Sequence, residues 1–213
     1  ISGNALVVGD SIILYNGTTS VHTLTLSSTD LFAGFVLLQP GSNLPEGISV
    51  FTAKAQSNAG TLGPASSALS IVVDTTAQSA PLAPDLIALD DTGASSSDDV
   101  TSVTQPNFLV VLTGLGIAAN DQVQLLDASS QVIGTAVISS VDITNSNVRV
   151  TPLGTFADGV NVVKVRILDR AGNVGTASPS LSIRISTNIP NATTPELQTA
   201  SDSGRSSSDR VTQ

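Results

Sequence analysis

The sequence has no cysteine, methionine or tryptophan, and only one histidine and one tyrosine. Without cysteine, disulfides, thiolate nucleophiles and thiolate metal sites are excluded, although the compartment is left open. Aromatic residues make up only 3% of the chain, too few for the stacking platforms that sugar-cleaving clefts use. Bases are scarce as well: 8 against 17 acids, for a formal charge of −9. That balance argues against nucleic acid and anionic membrane surfaces, both of which need a basic face. No apolar run is long enough to span a bilayer. No signal peptide opens the chain, which reads as beginning within a domain.

What is present is branched aliphatic side chains, serine, threonine, glycine and aspartate. Hydrophobic residues reach 40%, enough for cores of Val, Leu, Ile and Ala. Nearly every acid is Asp, with Glu46 and Glu196 the only glutamates. Aspartate, the shorter carboxylate, suits turns and close metal coordination.

Three blocks recur in register. LDRAGNVGTASPSLSIRIS (168–186) matches QSNAGTLGPASSALSIVVD (56–74), which places Gly172 on Gly60 at an offset of 112. AANDQVQLLD (118–127) matches VVGDSIILYN (7–16), and SDSGRSSSDR (201–210) matches DDTGASSSDD (90–99), both at an offset of 111. A period near 110 residues is that of tandem whole domains, not of a solenoid repeat. The expected division is therefore residues 1–74, a unit lacking its first strands; 75–187, a complete unit; and 188–213, a linker and the opening of a third. The chain reads as an excerpt from a longer array.

Within 75–187 the strands are legible from a period of two. DLIALD, PNFLVVLTG, QVQLLD, VIGTAVIS, NVRVTP, NVVKVRILD and SLSIRIS are the seven candidates. Val163, Val165 and Ile167 alternate with Lys164 and Arg166, and Leu181, Ile183 and Ile185 with Ser182 and Arg184. In the first unit Phe51, Ala53 and Ala55 take the inward places of Val163, Val165 and Ile167. Asn16-Gly17, Asp158-Gly159 and Ala171-Gly172 supply turns where strands should end. Seven short strands in about 110 residues predict an all-β fold of tandem immunoglobulin-like sandwiches.

The block FADGVNVVKVRILDRAGNVGTASPSLSIRI, preceded by VDTT and by the DDTG…SSSDDVT loop, resembles the bacterial immunoglobulin-like extender repeats of giant secreted surface adhesins, the RTX-type and biofilm-associated kind. The resemblance spans 75–187 and, less fully, both flanks. It implies a long stalk stiffened by calcium at domain junctions. The first unit departs from it, with Ser57-Asn58-Ala59-Gly60-Thr61 where the second has Asp169-Arg170-Ala171-Gly172-Asn173.

The loop DDTGASSSDD joins the first two strands of the complete unit, and the expected topology places it where the last strand exits. Asp90, Asp91, Asp98 and Asp99 are then expected to converge with Asp158 and the exit segment 186–188. Such an oxygen-rich set suits calcium, which takes six to eight ligands at roughly 2.3–2.6 Å. Asp91 and Asp98 lead the candidates because their spacing recurs as Asp202 and Asp209, whereas Asp90 and Asp99 become Ser201 and Arg210. The competing reading is a solvated turn, since Asp, Gly and Ser are common turn formers for backbone reasons alone. A second candidate site joins Asp74, at the exit of the first unit with Glu46 nearby, to Asp169, Asn173 and Asp121. There too the alternative is that Asp169 merely caps its own turn.

No enzyme motif is present. His22 lies in a polar stretch without a nucleophile elbow, and the glycines form no phosphate loop. The function expected is a non-enzymatic extender module at a bacterial cell surface, flanked by further repeats and without membrane insertion. Its distal adhesion target is not specified by the sequence. The alternatives are a calcium-dependent module for a glycan or protein ligand, and a self-assembling subunit of a filament or surface layer.

Overall fold

The computed structural model describes residues 6–189, 192–206 and 208–212. The first five residues of the opening unit and a few of the tail thus lie outside the described residues.

In the first unit, β1 (Ser11–Asn16) and β2 (Thr19–Thr25) form a hairpin. Asn16-Gly17 makes the turn, with Gly17 at φ +59° as the tight reversal requires. On its other side β1 pairs with the long β3 (Gly47–Gln56), which also carries β4 (Leu62–Ala65) and β5 (Leu69–Val73). A single turn of helix, α1 (Ser28–Ala33), follows β2.

The second unit repeats this sheet. β9 (Gln122–Leu126), β10 (Val132–Val137), β12 (Gly159–Leu168) and β13 (Leu181–Ile185) occupy the places of β1, β2, β3 and β5. A further strand, β7 (Val100–Thr101), extends it by pairing in parallel with β13. Facing it is a three-stranded sheet in the order β11 (Asn147–Val150), β8 (Phe108–Val111), β6 (Asp85–Leu86). The helical turn α2 (Ser140–Asn145) precedes β11. Together the two sheets make an all-β sandwich.

Alternation fills its core. Leu86, Phe108, Val110, Val148 and Val150 enter from the small sheet. Val123, Leu125, Val163, Val165, Ile167, Ile183 and Ile185 meet them from the large one. Phe108 stacks edge-on against Phe156, with ring centroids 6.2 Å apart and planes at 88°. Seven expected strands are present, and β7 is an addition. Its two residues are too short to carry a period, and they hold their place through β13.

The first unit lacks the facing sheet among its described residues. Phe35–Leu38 corresponds to β11, but nothing described here stands where β8 would pair with it, and it forms no strand. The exposure of equivalent core positions records the difference: Ile71 is 40% exposed and Ile183 is 1%. Phe51 and Leu26 remain buried on the sheet itself.

Phe108→Ala is expected to destabilise the sandwich by about 3–5 kcal/mol, since its side chain fills the centre of the core. Phe35→Ala, at a side chain 63% exposed, is expected to shift stability by no more than about 0.5 kcal/mol. Urea unfolding followed by far-UV circular dichroism would distinguish the two.

Candidate functional site

Loop 90–99 is built on its own backbone before any ligand is considered. The N–H groups of Asp90 and Asp91 both donate to the Ile87 carbonyl, at 2.7 and 3.0 Å. Asp90 Oδ2 accepts from the Asn107 backbone N–H at 2.7 Å and from its amide Nδ2 at 2.8 Å. The Thr101 hydroxyl donates to the Asp90 carbonyl at 2.5 Å. Asp98 accepts from the N–H of Ser95 at 3.0 Å and of Val100 at 3.1 Å. Its carboxylate lies over Gly93, where a Cβ would come within 2.6 Å of Asp98 Oδ1 and 2.7 Å of the Val100 carbonyl. Glycine is therefore required by close approach. The Asp99 carbonyl accepts from Arg184 N–H at 2.8 Å, which fastens the loop to β13.

Asp91 differs from the rest. It is 5% exposed; Oδ2 accepts the Asp99 N–H at 3.2 Å, while Oδ1 is buried with no hydrogen-bond partner among the described residues. An unpaired carboxylate oxygen in such a position is costly unless a proton or a cation meets it. Asp99 stands beside it in the left-handed region at φ 56°. Burial, and then the charges of Asp91, Asp85 and Asp98, push the Asp99 carboxyl above its ordinary 3.8.

The tail repeats several of these bonds, although Ser201 has no carboxylate to stand for that of Asp90. Ser201 and Asp202 N–H groups donate to Gln198 O, and Asp209 accepts from Ser206 and Val211, each at 3.1 Å. Asp202 accepts the Arg210 N–H at 3.1 Å, is 6% exposed and again leaves Oδ1 without a partner among the described residues.

The remaining candidates hold backbone or hydroxyl groups elsewhere. Asp158 accepts from the Thr187 hydroxyl at 2.8 Å, the Thr187 N–H at 3.2 Å and Asn188 Nδ2 at 3.1 Å. Glu46 takes Thr75 in the same way in the first unit, and those bonds from the Thr75 hydroxyl and N–H lower its pKa. The structure thus ties Asp158 to the exit strand and not to loop 90–99. Among the described residues no three carboxylate or imidazole groups converge as a metal cluster.

At the junction of the two units, Asp169 accepts from the Ala171 and Asn173 N–H groups, both at 2.9 Å, and from Asn173 Nδ2 at 2.9 Å. Burial pushes its carboxyl up, but the hydrogen bonds led by the Asn173 side chain outweigh that and hold it below 3.8. Asn173 Nδ2 also donates to the Asp74 carbonyl at 3.0 Å, so the link to Asp74 is an amide bridge. Asp121 accepts from Ala118 and Arg170 N–H, as Asp10 does from Val7 and Asn58 in the first unit. The 111-residue offset sets Asp10 on Asp121, but the sequence did not show that each bridges two loops.

A cation would therefore find available oxygens at Asp91 and Asp99, while Asp90, Asp98, Asp158 and Asp169 already hold N–H groups. The residues fit such an ion through the orphaned Asp91 oxygen. A groove beside the core, about 430 Å³ and lined by Ile133, Pro152, Phe156 and Val160 among others, contains one acid, Asp127, which caps its own turn. That groove offers no nucleophile paired with a base. No helix among the described residues is long and apolar enough to cross a membrane.

Fold and loop together define a β-sandwich module carrying a capped acidic turn. Residues 77–187 match the bacterial Ig-like domain family, and the chain belongs to it. The family is not an enzymatic one. No curated protein matches the sequence.

Among solved structures, the fibronectin(III)-like modules of Clostridium thermocellum CbhA align with a TM-score of 0.46 and 14% identity, over 92% of this chain and 87% of that one. A Ca2+-stabilized adhesin of an ice-binding Antarctic bacterium aligns at 0.34 and 20%, over 86% and 41%. A tetra-tandem repeat from the extending region of a large adhesion protein aligns at 0.35 and 19%, over 86% and 43%. The chain spans less than half the length of these two adhesin structures.

A carboxyl raised above 3.8 binds its proton more readily in the fold than in the unfolded chain, so its contribution to stability falls as pH rises through that window. Asp99→Asn is accordingly expected to melt higher than the parent at pH 7 in chelator. That gain should shrink as pH falls toward 3.8, as calorimetry across a pH series would show.

Proposed function

We propose that the chain is an extender segment of a bacterial cell-surface adhesin, in which tandem Ig-like units at 1–74, 75–187 and 188 onward space a distal binding region from the cell. The observation that carries this reading is the recurrence of the same latches at each exit. Glu46 holds Thr75 and, 112 residues on, Asp158 holds Thr187. Between these points the linker is gripped again by Asn173 on Asp74. Each latch restricts the backbone where one unit hands over to the next, which a flexible linker would leave free.

The partners are the neighbouring repeats themselves. Load is borne by the strand ladders, and stiffness by the joints.

Calcium is the proposed second source of stiffness. Asp91 and Asp99 supply the carboxylates, and Asp90 and Asp98 hold the loop that presents them. Bound calcium would neutralise the clustered charge, with carbonyls and water completing an oxygen shell. Binding to the folded chain alone stabilises it by about 2.7 kcal/mol when free calcium is a hundred times the dissociation constant.

Small-angle scattering and thermal unfolding in chelator and in millimolar calcium test both parts. Calcium is expected to raise the melting temperature and lengthen the particle, and Asp91→Ala to remove both effects. A particle that is extended and equally stable in chelator would leave the stalk standing and remove calcium from it. A collapsed particle under both conditions would sink the stalk.

A further inference from the structure

The linker between the two units is covered in a regular pattern. Between Asp74 and β6 it forms no strand, yet Gln78 is half-buried and Pro81 and Pro84 are buried, one residue in every three. Leu82, between the two prolines, is 66% exposed. Hydrophobicity alone does not produce that pattern. Three residues per turn is the spacing of a polyproline II segment with one edge laid against a surface.

The second unit meets Gln78 at two glycines. A Cβ at Gly175 would come within 2.7 Å of the Gln78 carbonyl oxygen and 3.1 Å of the Ile167 carbonyl oxygen. A Cβ at Gly116 would lie 3.5 Å from Gln78 Oε1. Gly175 has no positive φ, so space and not backbone conformation calls for glycine there. Two residues earlier, Asn173 holds the Asp74 carbonyl at 3.0 Å. At Gly175 and Asn173 the linker is met at its main chain, which every residue presents alike.

The other copies show the segment and the glycine apart. Gly63 stands at the place of Gly175 in the first unit, 112 residues earlier. Its would-be Cβ meets only the Ala55 carbonyl, at 3.5 Å, among the described residues. In the tail Pro195 stands for Pro84 and is exposed, as are all of residues 192–200.

We propose that the second unit carries a seat, centred on Gly175, for an extended polyproline-type segment arriving from the preceding unit, and that this seat sets the angle between the two. It rests on the stalk reading above and calls on no metal. Because the seat takes main chain, the exposed side chains of the linker can vary while the joint keeps its geometry.

The chain has no cysteine, so spin labels can be placed one in each unit, at the exposed positions Thr18→Cys and Ser182→Cys. Pulsed electron resonance then gives the distribution of distances between the units, in chelator and in millimolar calcium. The parent is expected to show one narrow distribution under both conditions. Gly175→Ala should broaden it about twofold in both, as for a linker released to coil. Gly63→Ala should leave it unchanged, and so should Gln78→Ala, which keeps the carbonyl that the seat takes.

A distribution that stays narrow in Gly175→Ala overturns the seat and leaves the stalk standing, as does a parent that is narrow only in calcium. Equal broadening from Gly63→Ala or Gln78→Ala also overturns the seat. A parent that is broad under both conditions overturns seat and stalk together. Should Gly175→Ala fail to fold, Pro81→Gly combined with Pro84→Gly decides, because it leaves the glycine in place and loosens the segment: an unchanged width counts against the proposal.

Discussion

Short carboxylates that reach back to backbone N–H groups hold this structure together at the ends of its strands. A sandwich of short strands has many chain reversals, and each leaves donors that the sheet cannot satisfy. Asp10 and Asp121 bridge two loops each, Asp169 closes the turn after β12, and Asp98 closes the acidic loop. Aspartate does this because its carboxylate lies one carbon from the backbone and reaches residues two to four positions away. The predominance of aspartate over glutamate is thus largely a consequence of loop construction. Only where these carboxylates leave an oxygen unclaimed, at Asp91 and Asp202, does the same chemistry become an opening for something else.

Dependence on those staples explains how two units of unequal completeness share one architecture. The sheet of β1, β2, β3 and β5 keeps the register of its counterpart, with Ile12 opposite Ala55 as Val123 is opposite Ile167. Its hydrogen-bond ladder and its Asp10 bridge do not require a facing sheet. The burial of its apolar face does, and Ile71 shows what is lost. Ladder and core are separable contributions: the first specifies shape, and the second supplies most of the free energy.

The strands were legible in the sequence because a half-buried strand must alternate, and Val163, Val165 and Ile167 alternate without interruption. The helical turns α1 and α2 escaped a search for a 3.6 period, being too short to show one. Their signal was local: Ser27 with Asp30 and Ser139 with Asp142 form capping boxes, with the hydroxyl and carboxylate exchanging bonds with backbone N–H groups. The acidic loop was legible as a feature, but the hydrogen bonds that shape it were not. Counting carboxylates suggested that Asp98 and Asp158 would converge on an ion, but the sequence does not say which N–H groups claim them first. Asp98 belongs to Ser95 and Val100, and Asp158 to Thr187. Asp99, ranked below Asp91 and Asp98 because its copy is arginine, has a carboxyl that burial and neighbouring acids push above its ordinary 3.8.

That last point separates two demands that a motif search merges. Residues that recur between loops 90–99 and 201–210, namely the buried aspartate, the glycine and the closing aspartate, are those that make the backbone turn. Residues that change include Asp90 to Ser201, which gives up the carboxylate that holds Asn107, and Ala94 to Arg205 and Asp99 to Arg210, which alter the charge. The turn thus survives a change in the charge around it, from −5 over residues 85–101 to −1 over residues 196–212. The identity of the loop resides in the hydrogen bonds that both copies share, and not in the number of carboxylates it carries.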